Sequence, residues 1–473
     1  MSRLPQAVQD VATALQDVLM DVADTAAVQS GWCQRQRKLS GSVLVQALTL
    51  GYLAKPQATR AQLAQAAACA GVVISPQGLA QRLDEKAATL FQQVLEAAVA
   101  QVLCAPLVPV PLLCRFTSVE VRDSTIITLP AALAEKWPGC GEGQAALKAQ
   151  VRLDLCRGRL EGPLLGAGRT HDARAGRAHT PLEAGALHLA DLGYFDLADL
   201  GYFDLAYFAE LMAHGAYYLS RVKANTLLYD TCDAQAGGQP LSHWLHQAER
   251  RAERRAERCA RQCAKGGNSA NGAGCGMVEL QLQMGAERLP CRVLAVRVPP
   301  AVAAQRRVRL KAEARHKQQP VSAERLALAE WTVLVTNAPA ELLSVREALV
   351  LYRARWQIER LFRLWKEVGA VDQWCGNQAW AILCEVYAKL LGCVVQHWLL
   401  LSGAWEDAAR SWHKAAQLVQ NHAYALLGCL AHEKSLHTTL QTIRRGMSRA
   451  CRLEKRSKAP ATFQLLLACS AEP

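Results

Sequence analysis

The chain has 473 residues, beyond the roughly 250–300 at which a single core stops growing, so two or three domains are expected. Hydrophobic residues make up 51% and charged residues 20%, which excludes wholesale disorder. The 54 Lys+Arg against 41 Asp+Glu give +13, a balance that suits a polyanionic partner such as nucleic acid.

In chain order, Met1 to Asp21 reads as an amphipathic helix carrying Asp10, Asp17 and Asp21, not as an export signal. Residues 1–112 keep helical spacing and end in a proline-containing linker at 105–111; they predict a helical domain. Within it, Ala58 to Gly71 predicts one helix, and Ser75-Pro76 caps a second that continues through Arg82 to Lys86. This is helix-turn-helix-like spacing, although two packed helices of an ordinary bundle give the same pattern. From Arg115 the period changes to two. Strands are predicted at Thr117 to Thr128, Leu147 to Cys156 and Leu160 to Leu165, with a turn at Arg157-Gly158 between the last two. A further strand at Ala186 to Ala190 leads into a helix ending near Met212, and Gly215 to Val222 is again strand-like.

Two duplications follow. ADLGYFDL at 190–197 recurs unchanged at 198–205, and AERR at 248–251 recurs at 252–255 and as AERC at 256–259; both periods are too short for a solenoid. Residues 229–325 read as a β-containing insertion, with strands at Met277 to Met284 and Arg292 to Val298 and a basic run Arg306 to Lys317. The core resumes with the apolar strand Trp331 to Thr336 and a long helix from Val345 to about Gly369. The apolar stretch Leu390 to Leu401, preceded by Glu385 and Lys389, is too short to span a bilayer and predicts a buried helix. The remaining residues read as a helical, basic C-terminal region at 411–473. Seventeen scattered cysteines fit reduced thiols.

The segment LYRARWQIERLFRLWKEVG at 351–369 carries the chemistry. At about 100° per residue from Tyr352, the side chains of Arg355, Glu359 and Lys366 fall within a stripe of roughly 60°, opposite Leu361, Leu364, Trp365 and Ile358. The spacing Tyr352, Arg355, Glu359, Lys366 resembles the signature of DDE transposases of bacterial insertion sequences, in the insertion-sequence-four (Tyr-Arg-Glu-Lys) group. The resemblance extends, in family order, to VRDSTIITLP at 121–130, WPG at 137–139, LKAQVRLDL at 147–155, ADLGYFDL, GAYYLSRVK at 215–223 and WTVLVTNAP at 331–339. It covers roughly 115–370.

The resemblance implies an α/β fold: a ribonuclease-H-like core at 113–228 and 326–410, interrupted by the β-rich insertion at 229–325 and flanked by helical N- and C-terminal regions, with 1–112 as a helical DNA-binding domain. It implies three metal-binding acids, Asp123, Glu359 and a second Asp, with Mg²⁺ as cofactor and Mn²⁺ able to substitute. Hard divalent cations prefer carboxylate and water oxygens. The duplication offers both Asp191 and Asp199 as the second acid. Asp191 is favoured because the strand at Ala186 to Ala190 runs into it, while Asp199 keeps the family-like spacing to Gly215 and Arg221. Tyr352, Arg355 and Lys366 would hold phosphates, and Trp331 would stack on a base. The implied activity is cut-and-paste transposition in the bacterial cytoplasm, by a homodimer on terminal repeats and target DNA, with no membrane. A nuclease of the same fold and a catalytically dead DNA-binding protein are the alternatives.

Overall fold

The computed structural model describes residues 5–35, 38–170, 182–190, 204–232, 237–263, 276–316, 318–407, 409–453 and 462–469. Several helices begin where the sequence supplies caps. After α1 (Gln6–Gln16), a π-helical turn (Asp17–Val22) and α2 (Ala23–Gln29), Ser40 caps α3 (Gly41–Ala54), and a capping box of Thr59 and Gln62 opens α4 (Arg60–Cys69). Ser75 and Pro76 start α5 (Pro76–Ala80) as the sequence predicts, but this helix stops after five residues. The Asp84 side chain accepts from the Ala87 amide and begins a new helix, α6 (Glu85–Ala100). A competing N-cap therefore divides the predicted second helix.

The central sheet has nine strands: β1 (Val119–Leu129), β2 (Ala145–Asp154), β3 (Leu160–Ala167), β4 (Leu187–Leu189), β5 (Tyr217–Ser220), β6 (Leu228–Asp230), β7 (Met277–Met284), β8 (Leu289–Arg297) and β9 (Trp331–Thr336). Their spatial order is β3-β2-β1-β4-β5-β9-β8-β7-β6. The first three are antiparallel neighbours, β1-β4-β5 run parallel, and the remaining pairs are antiparallel. Between strands lie α7 (Leu205–Ala213), α8 (Leu241–Cys263), α9 (Pro300–His316) and α10 (Ala323–Leu328). The strands of 229–325 continue this sheet through the β8–β9 pairing, because β9 offers its second edge to β8 once β5 holds the first.

After β9 come α11 (Val345–Arg353), α12 (Trp356–Glu367), α13 (Ala379–Leu401), α14 (Trp412–Cys429), α15 (Glu433–Ala450) and α16 (Thr462–Cys469). The predicted helix from Val345 to Gly369 is thus two helices. The joint Ala354-Arg355 keeps helical dihedrals, but its amides bond three residues back, Ala354 to Leu351 and Arg355 to Tyr352. Such 3₁₀ winding turns about 120° per residue and shifts Tyr352 off the stripe calculated for an unbroken helix.

α13 is 23 residues, long and apolar enough to cross a membrane by length and composition, but 89% of that window is buried inside the protein. Glu385 and Lys389 are themselves buried there and paired at 2.8 Å. α13 is the axis of the main core. α3, α6, α14 and α15 pack on it, and one apolar cluster runs from Val8 through the sheet to Leu466. A second cluster lies among α7, α8 and β5–β9.

The turn between β2 and β3 fits tightly against this axis. Gly158 has φ +70°, and a Cβ there would lie 2.5 Å from Leu401 and Trp405, so only glycine fits. Its carbonyl accepts from His397 Nε2 at 2.7 Å.

Burial pushes the His397 pKa down to about 4. The folded chain then resists a proton that the unfolded chain accepts below its ordinary value of about 6.5, so stability falls as pH drops from 6.5 towards 4. We expect the urea midpoint of His397→Gln to depend less steeply on pH across that window than that of the parent protein.

Candidate active site

β1 is buried on both faces from Val119 to Val121, while Ile126 and Thr128 on one face are exposed, and alternation assigns its side chains. Val119, Val121 and Ile127 enter the main core, where Ile358 and Leu361 of α12 also lie, and α12 packs on β1. Asp123 shares that parity and is half-buried, its Oδ1 accepting from the Ser124 amide at 2.8 Å.

The opposite parity carries charge. Glu120, 2% exposed, pairs with Arg152 at 2.9 Å and with Arg159 at 3.2 Å. Arg152 continues to Glu161, and Arg159 to Glu183. His188 of β4 lies 3.3 Å from Glu120 and from the Tyr207 hydroxyl of α7. Burial first, then Arg122 and Arg152, push its pKa down to about 3, so it is neutral at pH 7. This network ties β1, β2, β3, β4 and α7 together behind the apolar face.

In the parallel β1–β4 pair, Val121 is opposite Leu189. Asp123 is therefore about 7 Å further along β1, beside the point where β4 ends. The Tyr352 hydroxyl donates to the Ala190 carbonyl at 3.3 Å, fixing the end of α11 to the same place. Glu359 is in the first turn of α12, where the helix dipole favours a carboxylate. Arg355, at the α11–α12 joint and only 3% exposed, donates from Nη2 to Glu359 Oε1 at 3.1 Å. The arginine that holds the acid is thus a buried residue of the helix joint.

Of the residues singled out from sequence, Tyr352 touches the residue after β4, Asp123 lies two residues beyond the last β1–β4 pair, and Arg355 and Glu359 pair at the start of α12, the helix that packs on β1. Lys366 is half-buried about 10 Å further along α12. Trp331 is 7% exposed and packs in the second core, while its carbonyl accepts from Arg306. Asp191 and Asp199 lie outside the described residues. Among the described residues no three His, Cys, Asp or Glu side chains group to hold a metal.

A cleft of about 590 Å³ opens beside Tyr352 and Arg355 and is further lined by Arg221, Arg306, Arg353 and Trp356. Periodicity did not single these out, because they come from the residue after β5, from α9 and from α11–α12, and meet only in the fold. The nearest signal was Arg353 and Trp356 flanking Arg355, with Trp356 38% exposed and its ring 5.5 Å from the guanidinium. The cleft combines guanidinium donors with an aromatic face, which suits nucleic-acid phosphates and bases.

The family model described as "Transposase DDE domain" matches residues 116–391, which include β1, β4 and α12. The chain is 25% identical over 416 residues to the transposase for insertion sequence element IS231F of Bacillus thuringiensis subsp. israelensis, covering 84% of this chain and 82% of the relative. It is also 25% identical over 377 residues to the transposase for IS231B of B. thuringiensis subsp. berliner, covering 77% and 74%.

The Arg355–Glu359 pair is part of the fold as well as the site. Replacing Arg355 by Met removes the partner of Glu359 and a buried donor set, with an expected loss of about 1–3 kcal/mol. Lys366→Ala, half-buried and without an ion pair among the described residues, should stay within about 0.5 kcal/mol. Urea titration of both variants checks the contrast.

Proposed function

The chain belongs to the transposase DDE-domain family and is a DNA transposase, and we propose that it cuts the ends of its own element and joins their 3′-hydroxyls to target DNA using Asp123, Asp191 and Glu359. The observation that carries this reading is the junction of β1, β4 and α12. Asp123 stands beside the end of β4, Asp191 is the second residue after Leu189 in the chain, and Glu359 enters on the helix that packs on β1. The order β3-β2-β1-β4-β5, antiparallel then parallel, supports a ribonuclease-H-like core, with 229–325 as its insertion.

Carboxylates from two packed elements are a hard-oxygen donor set that fits a divalent cation, Mg²⁺ with Mn²⁺ as substitute. Bound there, such ions supply Lewis-acid stabilisation of the phosphodiester oxygens and lower the pKa of water. The chain's own residues prepare the site. Arg355 holds the Glu359 carboxylate, and Tyr352 anchors α11 to the end of β4. The cleft arginines offset phosphate charge, as the overall +13 also favours. Lys366 belongs to the same phosphate-binding set. Base stacking by Trp331 requires its ring to leave the core in which it packs. Helices α1–α6 as a DNA-binding segment, a homodimer bridging two ends, and a cytoplasmic, nucleoid-bound enzyme complete the proposal.

Replacing Asp123 or Glu359 by Ala should abolish Mg²⁺-dependent cleavage of the element's terminal repeats while end binding stays within a few-fold, because the basic contacts remain. Cleavage surviving in either variant sinks the assignment. Nuclease activity without strand-transfer product would favour the non-transposing reading.

The duplicated acids are separable. Asp191→Asn should eliminate cleavage and Asp199→Asn should be tolerated. The reverse result moves the second acid to Asp199, and an unmodified chain that binds ends without cutting them would be a dead copy.

A further inference from the structure

Outside this site, α15 carries a second surface with the marks of a DNA contact. At about 100° per residue from Arg445, the side chains of Lys434, Thr438, Gln441 and Arg449 fall within roughly 40° of it, and Ser448 about 60° away. Leu436, Leu440, Ile443 and Met447 fall near 160–220° and are all buried, 1% exposed or less. The outer stripe is exposed at Lys434, Thr438, Arg445, Ser448 and Arg449 and half-buried at Gln441.

Its charge is one-sided. Across α14 and α15 the bases are Lys414, Lys434, Arg444, Arg445 and Arg449, and the single acid is Glu433. Arg444 is used internally, bonding the Ser402 carbonyl at 2.8 Å and pairing with Glu406. Lys434, Arg445 and Arg449 form no ion pair among the described residues, and exposed Arg452 follows the helix. An ordinary solvated helix face mixes both signs. This one instead alternates cations with hydroxyl and amide side chains, the groups that contact phosphates without reading bases. Lys434 to Arg449 spans about 22 Å, long enough to meet several phosphates of a duplex.

We propose that the outer face of α15 binds the phosphate backbone of duplex DNA irrespective of sequence, as a contact separate from the cleavage site. The proposal goes beyond the catalytic reading and rests only on the chain acting on DNA. Its test is the salt dependence of binding by the full-length protein to two labelled duplexes, one carrying the element's end and one of unrelated sequence. Each lost phosphate contact removes about one unit of slope in log affinity against log salt. Arg445→Gln/Arg449→Gln should lower the slope by about two units on both duplexes, and Thr438→Lys should raise it by about one, with melting temperatures unchanged. Unchanged slopes overturn the proposal, and a loss confined to the element's end overturns its sequence independence. Because cleavage is not read, failure of the catalytic assignment would leave these slopes as predicted, and the two ideas fall separately.

Discussion

Burial of the start of β1, Val119 to Val121, on both faces is the constraint on which the rest of the structure depends. Val119 and Val121 sink into apolar core on the side where α12 packs, and Glu120 between them enters a network of ion pairs with Arg152 and Arg159. A one-residue slip would exchange the two sets and place Glu120 among leucines, at a cost of several kcal/mol for the uncompensated charge. Register is therefore strongly specified, and with it the side of the sheet on which Asp123 emerges. The charged network behind the sheet reads as architecture for the acid in front.

The joint between α11 and α12 is the second decision. An unbroken helix would keep Arg355 on a solvated stripe with Glu359. Arg355 sits at the 3₁₀ joint and is buried, so the carboxylate is held by a buried donor rather than by a mobile surface arginine. A buried partner is screened little by salt, so the pair keeps its geometry where an exposed one would not. The same joint leaves Arg353 and Trp356 lining the cleft on either side of it.

The two ends of the chain meet around α13. α3 and α6 from the N-terminal hundred residues share its surface with α14 and α15 from the last hundred, and the Gly158 turn brings the sheet to the same axis. The N-terminal helices and the fold that carries Asp123 are thereby joined through one apolar cluster. A segment with the spacing of a recognition unit is at the same time a structural wall of the core.

The sequence by itself determined the local elements and the chemistry. Period-two runs located β1, β2 and β3 and an apolar run located β9 within a few residues, Ser75-Pro76 and Gly71 placed helix ends, and the spacing of Tyr352, Arg355, Glu359 and Lys366 with the strand motifs pointed to the transposase family. These signals are short-range, written in turn chemistry and in alternation over a few residues. What only tertiary structure decided depends on partners distant in the chain. Strands 228–230 and 277–297 extend the central sheet because β9 has a free edge; Glu385 and Lys389 neutralise each other inside the core; Trp331 is buried because α8 and β5–β9 close over it. Arg221, Arg306 and Arg353 face one cleft although up to 132 positions separate them. No local pattern encodes such meetings, because the free energy that selects them comes from area buried between elements and not from the propensity of any one of them.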